Sequence, residues 1–220
     1  CATDPEVRGV VAGVIRQHAH LLAVDPYANA FNREPGDEYH FDRPAPGPWV
    51  WERKYELDSL CYPLWLAWRY WQVTGEAPLD LRPTLHTVLG VLHTEQDHDA
   101  RSAYTFERPE AYCVLPSDTL TRGGRGAAHH PTGMVWSGFR PSDDACTYPY
   151  LVPANAFAVS ALEGAAALVR ALYGDETLAG RCEALAGQIR SGIETHGVTE
   201  HPTFGRVYAY ESDGLGQCLL

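Results

Sequence analysis

The sequence predicts an all-α fold built from stacked helical hairpins. Apolar residues recur at helical spacing in several long stretches, and no stretch alternates convincingly in the way of a strand. A short internal echo adds a third observation, because DSLCYP at Asp58–Pro63 resembles DACTYP at Asp144–Pro149. Each copy places an acidic residue ahead of an aromatic, apolar segment. Such recurrence is typical of hairpins that expose their loops on one shared face.

The first half of the chain carries three candidate helices. Apolar residues follow three- and four-residue steps from Pro5 to Val24, and Asp4 before Pro5 predicts an N-cap. A loop rich in Pro, Gly and Asp spans residues 25–48. A strongly apolar helix is then predicted over residues 56–73, ended by Thr74 and Gly75, and a third over residues 79–96.

In the second half, a long polar and aromatic stretch precedes a helical hairpin. Residues 97–153 show little period, and long loops inside a compact domain tend to carry function. Periodicity over residues 154–173 and 177–193, across the turn 174–176, predicts an antiparallel hairpin. Residues 211–220 are expected to open a further helical element. A helix there would leave apolar surface unburied, so we infer that the chain is a fragment or is completed by something else.

Composition limits the classes of partner. The chain has 220 residues, of which 45% are hydrophobic, and a net charge of -11. This size suits one domain, and the acidic balance argues against binding nucleic acid. No apolar run approaches the roughly 18 residues that span a bilayer, so no membrane association is expected. Six widely spaced cysteines without a CxxC pair favour reduced thiols and a cytoplasmic protein.

The segment WSGFRPSDD, Trp136 to Asp144, combines residue types that sugar-cleaving enzymes use. A carboxylic acid that donates to a glycosidic oxygen must stay protonated near neutral pH, which an apolar wall or a second carboxylate promotes. Asp143 or Asp144 could serve as that acid, Trp136 could stack on a sugar ring, and Arg140 could hold hydroxyls. The alternative is that one aspartate simply caps the helix that follows.

A second cluster, WVWERKYELDS at residues 49–59, is dense in charges and aromatic rings. It contains Lys54, the only lysine of the chain, which indicates a position where a compact ammonium is needed. The alternative is a solvated first helical turn in which Glu56 and Asp58 interact with the helix dipole. Residues 25–31 have a similar polar and aromatic composition. The alternative to a functional role for them is an ordinary Asp-Pro turn.

No metal site or cofactor is predicted. Asp97, His98 and Asp99 form one cluster, and His129–His130 and His196 with His201 form others, but none has zinc-site spacing. These histidines are interpreted as solvated loop residues. A third hypothesis is a metal-dependent hydrolase, and such an enzyme would lose its activity on chelation of the metal. Gly-x-Ser-x-Gly does not occur, so a serine nucleophile is not expected.

Four strings of the chain form one pattern. The central one is WSGFRPSDDACTYPYLVPANAF at Trp136–Phe157. The others are DPYANAF at Asp25–Phe31, PWVWERKYELDSLCYP at Pro48–Pro63 and HTEQDHDARSAYTFER at His93–Arg108. Together they resemble the metal-independent alpha-mannosidases of glycoside hydrolase family 125, over most of the chain and in the same order. The resemblance implies an (α/α)6 barrel of helical hairpins. Residues 1–220 would be the N-terminal and middle portion of that longer single domain.

The resemblance also implies an exo-acting, inverting enzyme that removes alpha-1,6-linked mannose without a metal from mannose-containing oligosaccharides or glycans. One carboxylic acid would protonate the leaving oxygen and a second carboxylate would activate water. Asp143 is favoured as the acid by analogy with related (α/α)6 glycosidases, with Asp144 binding a hydroxyl or tuning its neighbour. The general base is expected beyond Leu220.

Seven residues are expected to contact mannose, and they come from three of the resembling strings: Tyr27, Asn29, Arg53, Lys54, Asp58, Trp136 and Arg140. The competing class is a non-catalytic sugar-binding or structural helical module, which the chain would be if it naturally ends at Leu220. Binding of mannose without turnover would distinguish that module from an enzyme.

Overall fold

The structure, a computed structural model, describes residues 4–37, 39 and 41–220. It is mostly helical, with 51% of residues in helix and 11% in strand. The all-α prediction is therefore correct for the bulk of the fold and only approximate for the loops. Seven α-helices and seven short strands lie within the described residues.

The first two long helices confirm the predicted stretches. Helix α1 spans Pro5–Val24, and the side chain of Asp4 caps it by accepting hydrogen bonds from two backbone N–H groups of the first turn. Helix α2 spans Leu57–Thr74 and ends at Gly75, whose φ of 75° is left-handed. Glycine adopts that conformation without a Cβ clash, which is why the helix stops there.

Helix α3 is shorter than expected, spanning Arg82–Glu95. Pro83 lies in its first turn, where a missing N–H costs nothing, and Asp80 accepts a hydrogen bond from the backbone N–H of Arg82 at 3.0 Å. The stretch 97–153 is largely irregular, as predicted. It contains two four-residue helices, α4 (His98–Arg101) and α5 (Thr121–Gly124).

The predicted hairpin is present and forms the centre of the helical packing. Helix α6 spans Val152–Tyr173 and packs against both α2 and α7, which spans Glu176–His196. A Cβ added at Gly164 would lie 2.6 Å from Trp68, so only glycine allows α6 to approach α2 this closely. By length and composition α6 could cross a membrane, but 67% of its most apolar window is buried. Packing between two neighbouring helices accounts for that apolarity.

The strands were not anticipated. Strands β1 (Ala30–Phe31) and β2 (Val50–Glu52) pair, and β4 (Val198–His201) forms a hairpin with β5 (Gly205–Tyr208). Strand β6 (Glu211–Ser212) lies between β3 (Tyr150–Leu151) and β7 (Cys218–Leu219). The expectation of a helical element over residues 211–220 is therefore wrong. Residues 211–212 instead complete a sheet with residues about sixty positions earlier.

Candidate active site

Asp143 lies at the tip of a tight turn in the long irregular stretch. Its backbone N–H donates to the carbonyl of Arg140 at 2.8 Å, and its φ is 72°. Left-handed geometry is uncommon for a non-glycine residue and marks a turn that other contacts must hold. Helix α6 begins only at Val152 and has no side-chain cap. The interpretation of Asp143 or Asp144 as a helix cap is therefore wrong.

Lys54 contacts this turn from the buried side. Its Nζ donates to the backbone carbonyl of Asp143 at 2.8 Å and lies 3.0 Å from Oδ2 of the same residue. The lysine is 0% exposed, whereas the side chain of Asp143 is 52% exposed. The expected mannose contact of Lys54 is therefore wrong, because no part of the ammonium reaches solvent. The lysine lies under the carboxylate and positions it.

Further carboxylates surround the same ammonium. Asp118 Oδ1 lies 3.7 Å and Glu52 Oε1 3.9 Å from Lys54 Nζ. Asn29 donates through Nδ2 to Glu52 at 2.9 Å and to Asp143 at 3.3 Å, and its Oδ1 accepts from the backbone N–H of Lys54. The single lysine and Asn29 thus tie residues from both resembling strings 25–31 and 48–63 to Asp143.

Arg108 neutralises the buried end of this network. It donates to Asp42 at 2.7 Å and to Glu52 at 2.6 Å. Burial tends to raise the pKa of the Glu52 carboxyl, but hydrogen bonds from Arg108 and Asn29 and the charge of Lys54 outweigh burial and lower it. Glu52 is therefore an ionised structural anchor.

Asp144 has a different environment from its neighbour. Its two carboxylate oxygens accept hydrogen bonds from the hydroxyls of Ser117 at 2.8 Å and Ser142 at 3.1 Å. No lysine or arginine within the described ranges pairs with it. The structure therefore separates the two adjacent aspartates, one held by an ammonium and the other by hydroxyls.

Arg140 connects the turn to the three-stranded sheet. Its Nε donates to Glu211 at 2.6 Å, and the other oxygen of Glu211 accepts from the backbone N–H of Tyr148. Glu211 lies in β6 and is 0% exposed, while the Arg140 side chain is 20% exposed. Part of the guanidinium therefore still faces the surface, where a ligand could meet it.

Glu56 directly precedes α2, and Asp58 lies in its first turn. Burial raises the pKa of the Glu56 carboxyl to about 7; a hydrogen bond from Ser59 opposes this shift, and the charges of Asp58, Asp143 and Glu52 add to it. Burial also raises the pKa of Asp58, which is 7% exposed and whose Oδ1 has no partner among the described residues. The interpretation of this turn as a solvated helix start is therefore wrong.

The Asp25–Phe31 segment begins with the Asp-Pro turn considered above, and it also contributes residues to the site. Asp25 accepts from the backbone N–H of Tyr27 at 2.9 Å and from Arg53 Nε at 2.6 Å. The Arg53 guanidinium lies 5.1 Å from the Tyr27 ring centroid and 5.2 Å from that of Tyr104. Tyr27 and Arg53 are thus partly exposed residues held in fixed orientations.

Trp136 does not belong to the accessible site. It is 0% exposed and stacks on His98, with ring centroids 3.8 Å apart. The expectation that Trp136 stacks on a sugar is therefore wrong, because both ring faces are covered. His98 is also 0% exposed and pairs with Glu95 at 2.6 Å, so its interpretation as a solvated loop histidine is wrong as well.

A cavity of about 300 Å³ lies between α1, the first turns of α2 and residues 28–31, and no residue of the Asp143 turn lines it. Asn29, which donates to Asp143, and Ser59, which donates to Glu56, both line it, together with apolar residues of α1 and α2. Such a volume is at the lower end for small-ligand sites. Mixed apolar and hydrogen-bonding walls suit a molecule the size of one sugar ring.

No three His, Cys, Asp or Glu side chains converge in a way that could hold a metal ion within residues 4–37, 39 and 41–220. Four site residues were not predicted from the sequence: Glu52, Arg108, Asp118 and Glu211. A signal existed for Glu52, which neighbours the single lysine within the segment WERK. Arg108 ends the resembling string His93–Arg108, whereas nothing local distinguishes Asp118 and Glu211, whose roles arise from contacts distant in sequence.

Comparison with known proteins gives consistent matches. The family model described as "Metal-independent alpha-mannosidase (GH125)" matches residues 1–220. The "Meiotically up-regulated gene 157 protein" of Schizosaccharomyces pombe is 33% identical over 239 residues, covering 99% of this chain and 46% of that protein. The chain therefore spans about half the length of the curated relative it matches.

A solved structure is also similar. It is an alpha-mannosidase from Streptococcus pneumoniae, described as belonging to a family of metal-independent alpha mannosidases and as a non-productive complex with alpha-1,6-mannobiose. The TM-score is 0.93 and the sequence identity is 38%, over 99% of this chain and 52% of the other.

Proposed function

The chain belongs to the GH125 family of metal-independent alpha-mannosidases, and on that premise we propose that it forms part of an exo-acting glycoside hydrolase. The proposed reaction is release of terminal alpha-1,6-linked mannose from oligosaccharides or glycans. Residues 1–220 are then the N-terminal and middle portion of an (α/α)6 barrel. The helical hairpin of α6 and α7, packed on α2, supports such an arrangement.

The observation that carries this proposal is the position and exposure of the Asp143 carboxyl. That carboxyl is half exposed at the tip of a strained turn, while the groups that bind it, Lys54 and Asn29, hold it from the protein side. In the proposed reaction Asp143 donates its proton to the glycosidic oxygen as the bond to the sugar breaks. The carboxylate that results is the form that the ammonium and the amide stabilise.

Asp144 is proposed as a helper. Two serine hydroxyls occupy its oxygens, which supports a role in fixing the turn and binding a sugar hydroxyl. An inverting reaction needs a second carboxylate, about 6.5 to 9.5 Å from the acid, to activate water. Adjacent residues on one turn are poorly suited to divide these roles. We expect the general base to lie C-terminal to Leu220.

Five of the seven expected mannose contacts remain proposals: Tyr27, Asn29, Arg53, Asp58 and Arg140. Asn29 has the strongest support, because it lines the cavity and donates to Asp143. Asp58 is proposed from the family resemblance alone, because it is 7% exposed and its oxygen without a partner among the described residues is itself buried. Arg53 and Tyr27 would form a wall beside these groups.

The test is incubation of the full-length protein containing this chain with alpha-1,6-mannobiose, alongside the alpha-1,2- and alpha-1,3-linked isomers. The proposal expects mannose release from the 1,6-linked isomer, and NMR of the first product expects β-mannose, the inverted anomer. Absence of turnover together with calorimetric binding of mannose would contradict the enzyme and favour a sugar-binding module. First-formed α-mannose would contradict inversion alone.

A further inference from the structure

Glu211 is a buried carboxylate that binds both ends of the loop carrying Asp143. Its Oε1 accepts a hydrogen bond from Arg140 Nε at 2.6 Å, and its Oε2 accepts one from the backbone N–H of Tyr148 at 3.0 Å. Asp143 and Asp144 lie between these two contacts, within the 140–148 loop. The side chain of Glu211 is 0% exposed, so it acts through the residues that it holds and not by meeting a ligand.

The three-stranded sheet keeps Glu211 in place. Its strand β6 is the middle strand, in which Glu211 pairs with Leu151 of β3 on one side and with Leu219 of β7 on the other. Leu151 directly precedes α6, the helix at the centre of the packing. A carboxylate on a strand paired on both sides has little freedom to move. Glu211 is therefore a fixed point, 71 positions from Arg140 in sequence.

Arg140 transmits that position to Asp143. The backbone carbonyl of Arg140 accepts a hydrogen bond from the N–H of Asp143 at 2.8 Å, and the N–H of Arg140 donates to the carbonyl of Asp144 at 2.8 Å. Among the described residues, Arg140 is the one cation that forms an ion pair with Glu211. A buried carboxylate that loses its cation is strongly destabilised, so the pair restrains the residue on which the turn closes.

Lys54 and Glu211 hold the turn from two different elements. Lys54, just before α2, binds the carbonyl and the carboxylate of Asp143, whereas Glu211 holds Arg140 three residues earlier. The φ of 72° at Asp143 is uncommon for a non-glycine residue and persists only when surrounding contacts maintain it. A catalytic group displaced by about 1 Å can lose about 100-fold in rate. Both contacts thus bear on where the acid points.

We propose that Glu211 is a positioning residue for the general acid: by binding Arg140 and Tyr148, it holds the 140–148 loop so that the Asp143 carboxyl faces the leaving oxygen. This inference rests on the proposed function and adds a residue to its machinery. Glu211 transfers no proton and contacts no sugar. Its effect on the reaction is therefore confined to the step in which Asp143 protonates the leaving group.

The test compares kcat/KM of the full-length wild type and Glu211→Gln on alpha-1,6-mannobiose and on a dinitrophenyl mannoside, whose leaving group needs no protonation. Glutamine keeps the size of the side chain, but its NH2 group cannot accept the second hydrogen bond. Glu211→Gln should lose about tenfold or more on mannobiose and less than about threefold on the aryl substrate. A merely structural defect would lower both values equally, because it reduces the amount of folded enzyme.

Two further variants complete the test. Glu211→Asp keeps the charge but is too short to reach both ends of the loop, and it should show the same split between substrates if Glu211→Gln does not fold. Glu183→Gln is the matched control, because it removes an exposed carboxylate of α7 that pairs with Arg170 at 3.0 Å. The control should match the wild type on both substrates.

A double-mutant cycle with Asp143→Asn decides whether Glu211 acts through the acid. In the Asp143→Asn background, Glu211→Gln should cost less than about twofold on mannobiose, because no acid remains to be positioned. A further tenfold loss in that background would overturn the inference. So would equal losses of Glu211→Gln on the two substrates, or wild-type turnover of mannobiose. An inactive wild-type protein would contradict the proposed function, and this inference with it.

Discussion

Lys54 Nζ lies 3.0 Å from the Oδ2 carboxylate oxygen of Asp143 and 2.8 Å from its backbone carbonyl oxygen. The two contacts use one ammonium to fix both the backbone and the side chain of a residue whose φ is 72°. The larger, planar guanidinium of an arginine would not fit the enclosed space that the compact ammonium occupies. This relationship explains why the only lysine of the chain occurs at this position.

Lys54→Met should abolish this anchoring. Removing the buried ammonium leaves the carbonyl of Asp143 without its donor while the half-exposed Asp143 carboxylate stays solvated, and we expect a loss of about 1 to 3 kcal/mol in the free energy of unfolding. Because Asp143 would no longer be held in position, kcat should fall about 100-fold. Chemical denaturation and steady-state kinetics of the full-length protein measure the two effects.

Arg8→Met is the control for Lys54→Met, because Arg8 forms an exposed ion pair with Glu76 at 3.0 Å. Exposed pairs contribute about 0 to 1 kcal/mol, so this variant should unfold and turn over like the wild type. Equal behaviour of the two variants would contradict the anchoring role of Lys54.

Trp136→Phe tests the assignment of this ring to the core. Truncating a buried indole that stacks on His98 leaves a small cavity, and we expect a loss of about 1 to 3 kcal/mol in the free energy of unfolding. Since the ring has no exposed surface, KM for mannobiose should stay within about threefold of wild type. A large rise in KM with unchanged stability would instead restore Trp136 as a sugar platform.

The helices were predictable because their signals are local. Periodic apolar residues determine α1, α2 and the α6–α7 pair, and Gly75 ends α2 at the position its left-handed geometry requires. The strands were not, because each is two to four residues long, and one pairing, that of Tyr150 with Ser212, joins residues far apart in sequence. Such short segments are too brief to show an alternating pattern.

The sequence predicted which residues belong to the site better than it predicted what each residue does. The uniqueness of Lys54 and the adjacency of Asp143 and Asp144 are visible in the sequence, but burial is not. A tryptophan in a polar segment suits both a sugar platform and a core ring, and only the packing of Trp136 against His98 distinguishes them. Burial raises the pKa of Glu56, and the charges of Asp58, Asp143 and Glu52, from three separate elements, add to that shift.

The stability of the protein should depend on Glu56 ionisation. The folded carboxyl titrates at about 7 and the unfolded one near its ordinary value, so between these values the folded state binds more protons. The Glu56 contribution to stability is therefore present at low pH and is lost as the pH rises to about 7. Solvent screening of this partly exposed group limits the loss to the order of 1 kcal/mol.

Thermal unfolding of Glu56→Gln measures this contribution. In the full-length protein the variant should match the wild type at pH 5 and exceed its Tm at pH 8 by about 1 to 2 °C, because about 1 kcal/mol shifts Tm less in a longer domain. A constant Tm difference across this pH range would show that Glu56 titrates normally.

The central claim is that Asp143 donates the proton to the leaving oxygen, and leaving-group dependence tests it most directly. In the full-length protein, kcat/KM of Asp143→Asn should be measured with alpha-1,6-mannobiose and with a dinitrophenyl mannoside, whose leaving group needs no protonation. Asp144→Asn is the matched neighbour. We expect Asp143→Asn to lose about 100-fold or more on mannobiose and far less on the aryl substrate, and Asp144→Asn to lose equally on both. Equal losses for Asp143→Asn on the two substrates, or near wild-type turnover of mannobiose, would contradict the assignment.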